Sequence, residues 1–400
     1  MAPQLKVVAV ATDTQRDSKI FDTTNSAISV VHESGQIMDQ IGFGTWGLKP
    51  HEVDSAVRHA VEAGYRLFDL SPVYGNEKEI GQTLTALMAE GKLTRDSIFL
   101  TSKVPPADAC DRKKILHRTR ETLKNLQVDY LDLHLVHWPF CVKNTSTWPP
   151  PMEYRLGYSP TQLRQTWSVM EELVDKGLVR HIGLSNLGLH RLQALLDGPE
   201  ALKVRPNVLQ VEHHPYNANR ELRAYCASLR PPIRITAYSS LGSATRPAKY
   251  QHDQPRLLDD PTIVRIAAKR GASPSAIAMA WAIHDPNVAI IPKSAHADRI
   301  ASNLLETRAI AAVLRADEMQ QLDQLDRGFH YLEEAWKGHA WRPGMTLEEL
   351  YDDPAPSLFG FSSRLRDLIP LAGVLVCLVY IVQRRAQSRG RWLPVERDED

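Results

Sequence analysis

The sequence predicts an α/β fold, a (β/α)8 TIM barrel with an N-terminal β-hairpin and a C-terminal hydrophobic, transmembrane-like helix. Short runs rich in Val, Ile, Leu and Tyr alternate with longer amphipathic stretches eight times over roughly 265 residues, as in such a barrel. The 400 residues, 43% of them hydrophobic, suffice for one large globular domain or two medium ones. A doubly wound sheet is the alternative, but GFGTWG at residues 42–47 lacks the spacing of a GxGxxG loop.

The first predicted element is a β-hairpin that precedes the barrel. Its strands are residues 28–31 and 36–38, around the turn sequence Glu33-Ser34-Gly35, in which Gly suits a hairpin turn. A hairpin at this position would close the bottom of the barrel. Residues 1–26 are expected to form an N-terminal arm, because the apolar run within them is too short for a signal peptide.

The eight strands are predicted from short apolar runs, and each helix from the amphipathic stretch that follows. The predicted strands are 41–46, 65–71, 98–104, 130–138, 179–185, 208–213, 234–240 and 287–292. The predicted helices are 51–64, 76–90, 111–127, 160–177, 188–197, 218–229, 260–283 and 296–305. The barrel is expected to span residues 27–330, and a C-terminal extension over residues 331–366 includes a substrate-side loop.

Charge and cysteine content narrow the function classes. Lys and Arg total 48 against 47 Asp and Glu. The chain has no excess of basic residues, so its net charge gives no indication of a nucleic-acid partner. The four cysteines, Cys110, Cys141, Cys226 and Cys377, are widely spaced. This spacing argues against a disulfide framework and against a zinc site, and it favours a reducing compartment. We therefore expect no zinc site at these cysteines.

An uncharged run near the C-terminus predicts a membrane anchor. Residues 368–382 read LIPLAGVLVCLVYIV, and Arg384 and Arg385 follow. At about 1.5 Å per residue this run falls short of the roughly 30 Å hydrocarbon core, and snorkelling arginines would cover the difference. We expect an anchor over residues 367–384 and a charged tail over residues 385–400. The alternatives are a buried core helix and a surface hairpin that docks on the domain.

The orientation of that anchor follows from two opposing arguments. A positive-inside count of the arginines after the span would keep the C-terminus cytosolic and place the barrel on the other side. The missing signal peptide and the thiols favour a cytosolic barrel, and we expect this second arrangement. A soluble cytoplasmic protein is the alternative.

Ionisable side chains end three successive strands of the predicted barrel. Asp69 ends the second strand, Lys103 the third and His137 the fourth, and Tyr74 follows Asp69 by five residues. Active sites of such barrels form at the carboxyl ends of the strands, so the four groups would converge on one mouth. Each alone has a structural interpretation, as a helix cap, a rim charge or a core histidine. Together they favour a catalytic site.

These residues lie in blocks that resemble the aldo-keto reductase family. The blocks are GFGTW, FDLSPVYGNE, TSKV, LHLVHWP, GLSN, QVEHHP, AYSSLG and IPKSAHADRIASN, in family order over roughly residues 27–330. The resemblance implies a catalytic tetrad of Asp69, Tyr74, Lys103 and His137 that interconverts a carbonyl and an alcohol. In it, Tyr74 would be the general acid with a pKa lowered by Lys103. Asp69 would pair with Lys103, and His137 would orient the carbonyl.

The resemblance also implies the cofactor NADP(H). Because that cofactor would carry the hydride, no metal is expected. Lys293, Ser294 and Arg299 resemble a clamp on the 2′-phosphate, which would favour NADP(H) over NAD(H). Ser185, Asn186 and Gln210 resemble the carboxamide-binding residues, and Tyr238 the aromatic ring that stacks on nicotinamide. The further cofactor-binding residues that it implies are Gly44, Thr45, Trp46, Asp69, Ser239, Leu241, Gly242 and Asn303. Trp46, Tyr74, His137 and Trp138 would bind a small-molecule substrate.

Some positions depart from the family pattern. Leu70 and Ser71 replace a common Thr-Ala, and Leu187, Ser240 and Ser302 replace an aromatic residue, a Pro and a Glu. None of these changes removes a catalytic group. The predicted function is therefore NADPH-dependent reduction of an aldehyde or ketone. The alternatives are an NADP-dependent alcohol dehydrogenase acting in the oxidative direction and a non-enzymatic NADPH-binding regulatory subunit of a membrane protein.

Overall fold

The computed structural model describes residues 29–31, 37–143, 154–243 and 254–332. The strands, in chain order, are β1 (Ser29–Val31), β2 (Ile37–Asp39), β3 (Phe43–Gly44), β4 (Leu67–Asp69), β5 (Phe99–Val104), β6 (Leu131–Val136), β7 (Phe140–Val142), β8 (Arg155–Tyr158), β9 (Val179–Ser185), β10 (Val208–Glu212), β11 (Arg234–Tyr238) and β12 (Val288–Ile290). The helices are α1 (Pro50–Ala63), α2 (Glu77–Ala89), α3 (Arg112–Leu126), α4 (Pro160–Asp175), α5 (Leu189–Leu196), α6 (Arg220–Ser228), α7 (Pro261–Arg270), α8 (Pro274–Ile283), α9 (Ala297–Ala311) and α10 (Ala316–Asp323).

A curled parallel sheet of eight strands forms the centre, in the order β12-β11-β10-β9-β6-β5-β4-β3. Backbone hydrogen bonds join its two edge strands, from Gly42 N to Ile290 O (2.8 Å) and from Gly44 N to Pro292 O (2.9 Å). The Gln40 side chain adds to this seam by donating to Val288 O at 3.1 Å. The arrangement is consistent with the predicted (β/α)8 barrel.

The seam explains why a glycine ends β3. A Cβ atom at Gly44 would lie 2.5 Å from the backbone oxygen of Ile291. Any side chain would therefore push β3 away from the last strand and open the sheet.

The predicted hairpin is present and packs against the interior side of the eight-stranded sheet. β1 pairs antiparallel with β2, and Val30 lies opposite Met38. Met38 packs with Leu67, Phe99, Leu133 and other buried residues in an inner cluster. Alternate strand residues therefore fill the interior, while their neighbours pack against the helices. Met38 thus supports the prediction that the hairpin closes the bottom.

The sequence prediction of one long helix over residues 260–283 is wrong. α7 ends at Arg270 because Gly271 adopts the left-handed conformation at φ 60°. α8 starts anew at Pro274, and the Ser273 side chain accepts a hydrogen bond from Ala276 N. Pro274 lacks the N–H group that a continuous helix would need. The prediction missed these stop and start signals, and it also missed the β7–β8 hairpin and α10.

A disulfide corrects the expectation drawn from the cysteine spacing. Cys110 and Cys141 are bonded, with Cα atoms 5.9 Å apart and a sequence separation of 31. Cys110 follows β5 and Cys141 lies in β7, just after β6. Since β5 and β6 are neighbours in the sheet, the segments after them meet. The widely spaced thiols therefore give no support for a reducing compartment.

Several predictions concern residues outside the described part. They include the arm 1–26, most of the extension 331–366, the anchor at 367–384 with its core 368–382, and the tail 385–400. Within the described ranges, no helix has the length and apolar character needed to cross a membrane. The domain boundaries stay predictions.

Candidate active site

A buried lysine at the carboxyl end of β5 forms the centre of the site. Lys103 Nζ donates to Asp69 Oδ2 at 2.7 Å, to Leu70 O at 2.9 Å and to Tyr74 OH at 3.1 Å. These three partners use all three hydrogens of an ammonium group. Asp69, Lys103 and Tyr74 therefore form a hydrogen-bonded chain that ends at a phenol.

The fold brings these residues together by strand alternation. β4 and β5 are parallel neighbours, with Asp69 opposite Thr101. Asp69 lies two residues after Leu67, and Lys103 lies four residues after Phe99. Residues at even spacing on a strand face the same side of the sheet, so both side chains point inward as Leu67 and Phe99 do. Tyr74 ends a single 3-10 turn directly after β4, in which its N–H donates to Ser71 O at 3.0 Å. The short turn holds the phenol over the strand that carries Asp69.

Burial and charge act in opposite directions on the pKa of Tyr74. Burial raises the pKa of the phenol, and the Lys103 ammonium lowers it by less, so the net direction is upward. Lys103 therefore lowers this pKa as expected, but the larger effect of burial, which the sequence prediction did not weigh, reverses the net direction. Burial is the largest single effect on Lys103 and lowers its pKa, but the charges and hydrogen bonds of Asp69 and Tyr74 together outweigh it and raise the pKa of the ammonium. Tyr74 thus stays protonated and Lys103 stays charged at neutral pH.

His137 follows β6 and lies beside this pair. Its ring meets the Tyr74 ring edge-on, with centroids 6.2 Å apart, and stacks on Trp138 at 6.1 Å. Burial, and secondarily the charge of Lys103, hold the pKa of His137 well below its ordinary value. The imidazole is therefore neutral, with one nitrogen that donates and one that accepts.

Amide and hydroxyl groups from the next strands join the tetrad. Gln210 Nε2 donates to the second Asp69 oxygen, Oδ1, at 2.7 Å. Asn186 Nδ2 donates to His137 O at 2.8 Å, and Tyr238 OH donates to Asn186 Oδ1 at 2.5 Å. Ser185 Oγ donates to Gln210 O at 3.0 Å. These hydrogen bonds link the two amides to Asp69, His137 and Tyr238 along one wall of the site.

A cavity of about 230 Å³ opens among these groups. The residues singled out in the sequence that line it are Gly44, Trp46, Asp69, Tyr74, His137, Trp138, Ser185, Asn186, Gln210, Tyr238, Ser239, Leu241 and Lys293. Sequence reasoning did not assign Val73, Ser240, Ser243, Ile291, Pro292 or Leu332 to it. Val73, Ser240, Ile291 and Pro292 lie inside the quoted sequence blocks without having been assigned to the site, and Ser243 directly follows one of these blocks. Leu332 lies at the start of the extension 331–366, for which a substrate-side loop is predicted.

Other predicted site residues lie around the cavity without lining it. Thr45 is buried and donates to Asp69 O at 2.8 Å, so it supports the end of β4. Gly242 has φ 72°, and Ser294 Oγ accepts from His296 N at 3.0 Å. Arg299 is exposed near the start of α9, while Asn303 on the same helix is buried. The predicted phosphate clamp therefore divides between Lys293 at the cavity and Arg299 on the neighbouring helix.

Comparisons with known proteins agree with this geometry. Residues 40–327 match the model of a family described as the aldo/keto reductase family. A Synechocystis sp. protein named aldo/keto reductase slr0942 is 37% identical over 337 residues, which cover 83% of this chain and 99% of the relative. The mouse and human proteins named aldo-keto reductase family 1 member A1 are 38% and 37% identical over 314 residues, which cover 77% of this chain and 92% of each relative.

Proposed function

Because the chain belongs to the aldo/keto reductase family, we propose that it is an NADP(H)-dependent oxidoreductase that interconverts a carbonyl and an alcohol. The observation that carries this proposal is the contact of Lys103 Nζ with both Asp69 and Tyr74 OH beside a cavity. When bound, a nicotinamide dinucleotide supplies the hydride for reduction or accepts it in oxidation.

The chain's own residues handle the proton and the charge. In reduction, Tyr74 donates its proton to the carbonyl oxygen, and in oxidation the phenolate takes the proton back. Lys103 stabilises that phenolate, and Asp69 keeps the buried ammonium charged. The neutral His137 hydrogen-bonds the substrate oxygen and stabilises the charge that develops there.

The cofactor assignment rests on the donors around the cavity. Asn186 and Gln210 suit a carboxamide, and the half-buried Tyr238 ring lies beside them. Lys293 and Arg299 supply cations for phosphate. We expect NADPH to bind more tightly than NADH in a fluorescence titration, and equal affinities would refute the 2′-phosphate clamp.

The substrate side of the cavity is apolar and aromatic. Trp46 is 45% exposed despite its size, and Val73 and Trp138 lie on the same cavity. Such a lining with few fixed charges suits neutral aldehydes, ketones and alcohols.

The full chain with the Tyr74→Phe substitution tests the mechanism. We expect NADPH binding to persist while turnover falls by about 10²- to 10⁴-fold, because the proton donor is missing. Tyr130→Phe is the matched control, since Tyr130 donates to Asp96 at 3.0 Å outside the cavity. Normal turnover by Tyr74→Phe would refute the assignment.

Assays in both directions separate the alternatives for the unchanged chain. Following NADPH with a panel of carbonyls and NADP⁺ with a panel of alcohols compares reductase and dehydrogenase activity. Cofactor binding without turnover in either direction would instead favour the regulatory subunit.

Membrane attachment through residues 368–382 stays a prediction from the sequence. Carbonate extraction of the full chain tests it, because release into the soluble fraction would refute the anchor. A protease-protected barrel in intact vesicles would refute the cytosolic orientation.

A further inference from the structure

Ser71 stands where the family pattern commonly has Ala, and its hydroxyl reaches the proposed catalytic histidine. The side chain is fully buried, and Oγ lies 3.4 Å from Nδ1 of His137. The backbone oxygen of Ser71 also accepts from Tyr74 N at 3.0 Å. One residue therefore contacts both groups that face the substrate oxygen in the proposed reaction.

The hydroxyl of Ser71 is not used in the way a serine at a helix start usually is. Ser71 occupies the N-cap position of the turn Pro72–Tyr74, where a serine oxygen commonly accepts from a backbone N–H. Its side chain makes no such capping bond. In the described part of the chain, His137 Nδ1 is the one hydrogen-bond partner of Ser71 Oγ. The hydroxyl is thus directed at the imidazole.

The direction of this hydrogen bond follows from which arrangement gives the buried Ser71 hydroxyl an acceptor. If His137 Nδ1 carried the proton and donated, the buried Ser71 O–H would lack an acceptor among the described residues, which is costly. If Ser71 donates to Nδ1, its hydroxyl hydrogen has an acceptor. A neutral imidazole that accepts at Nδ1 carries its proton on Nε2.

We propose that Ser71 is a positioning residue that fixes His137 in the Nε2–H tautomer, so that Nε2 donates to the substrate oxygen. The hydrogen bond from Nε2 to the substrate oxygen rests on the proposed function, whereas the tautomer itself does not. With this tautomer, Tyr74 O–H and His137 Nε2–H both donate to one oxygen. The other tautomer would present a lone pair to that oxygen and repel it.

Ring-nitrogen NMR of the full chain labelled with ¹⁵N-histidine tests the tautomer directly. The resonances of His137 are identified among the 15 histidines by their loss in His137→Gln. We expect an Nε2–H pattern in the unchanged protein and a larger Nδ1–H population in Ser71→Ala. An Nδ1–H tautomer in the unchanged protein would overturn the proposal, even if Ser71→Ala does not fold.

Kinetics test the consequence for turnover. Ser71→Ala is expected to lower kcat/KM by roughly 5- to 10-fold, the factor of one neutral hydrogen bond. In a His137→Gln background the same change should have no further effect, because Ser71 acts through His137. An equal loss in both backgrounds, or no loss in either, would contradict the proposal.

Thr119→Val is the matched control. Thr119 Oγ1 lies 3.2 Å from Nε2 of His134, a fully buried histidine that does not line the cavity. Its removal should change the NMR pattern of His134 and leave kcat/KM unchanged. Absence of turnover in the unchanged chain would count against the proposed function alone, since the NMR experiment still reports the tautomer of His137.

Discussion

Two buried histidines on one strand segment, His134 and His137, have different surroundings. They are three residues apart, so their side chains point to opposite faces of the sheet. His134 faces α3, where the Thr119 hydroxyl lies 3.2 Å from its Nε2. His137 follows the end of β6 and lines the cavity, with the Ser71 hydroxyl near Nδ1. Each ring thus meets one hydroxyl, but His137 alone of the two lines the cavity.

The pair shows that burial and a lowered pKa do not separate a histidine at the cavity from one away from it. Burial lowers the pKa of His134 to about 4 and that of His137 well below its ordinary value, and the charge of Lys103 adds to both effects. What distinguishes His137 is its place at the carboxyl end of a strand, where the ring reaches the cavity. Position in the barrel is therefore the better guide to function.

The largest expected contrast is the loss of activity in His137→Gln. Removing the donor to the substrate oxygen should lower kcat/KM on the order of 10²- to 10³-fold, as for one oxyanion donor. His134→Gln, measured with the same substrate, should keep the activity of the unchanged chain. Comparable losses in the two variants would invalidate the distinction between the histidines.

Removing the disulfide should destabilise the segment that follows His137. The bond between Cys110 and Cys141 closes a loop with a sequence separation of 31, which includes α3 and β6. A loop of this size predicts a loss of about 3–4 kcal/mol in the free energy of unfolding. Chemical denaturation of the variant with Cys110→Ser and Cys141→Ser measures this loss. In dithiothreitol, the unchanged chain should unfold at the same denaturant concentration as the variant. If the unfolding midpoint of the unchanged chain does not respond to the reductant, the prediction is contradicted.

The third expected effect is the pH dependence contributed by His134. Its pKa of about 4 in the fold lies below the ordinary value of 6.5, so the unfolded chain binds more protons between these values. The contribution of neutral His134 to the free energy of unfolding is therefore fully present above pH 6.5 and is lost progressively as the pH falls to 4. The decline amounts to about 3 kcal/mol, at about 1.4 kcal/mol per pH unit.

His134→Gln lacks that titration, so its stability deficit relative to the unchanged chain should shrink as the pH falls. Urea unfolding of both chains at pH 6.5 and at pH 4 measures this difference. A deficit that stays constant over this range would show that His134 is accessible to protons in the folded state.

Most of the site could be predicted from sequence because its signals are local. Asp69, Lys103 and His137 end short apolar runs, and that position alone separates His137 from His134 three residues earlier. The disulfide could not be predicted in this way, because Cys110 and Cys141 meet only after two strands pair. The lowering effect of Lys103 on the pKa of Tyr74 was predicted, but the net rise was not, because the balance between burial and that charge depends on the packed structure.

The hydrogen bonds between the first and last strands of the sheet limit how early the barrel can close during synthesis. Gln40 and Val288 are in contact across 248 residues of sequence. On the ribosome, β3 is made early but keeps an unpaired edge until β12 has emerged. The cavity therefore cannot be completed before nearly the whole barrel has been synthesised. A chain stalled before residue 288 would expose two open strand edges, which are templates for aggregation.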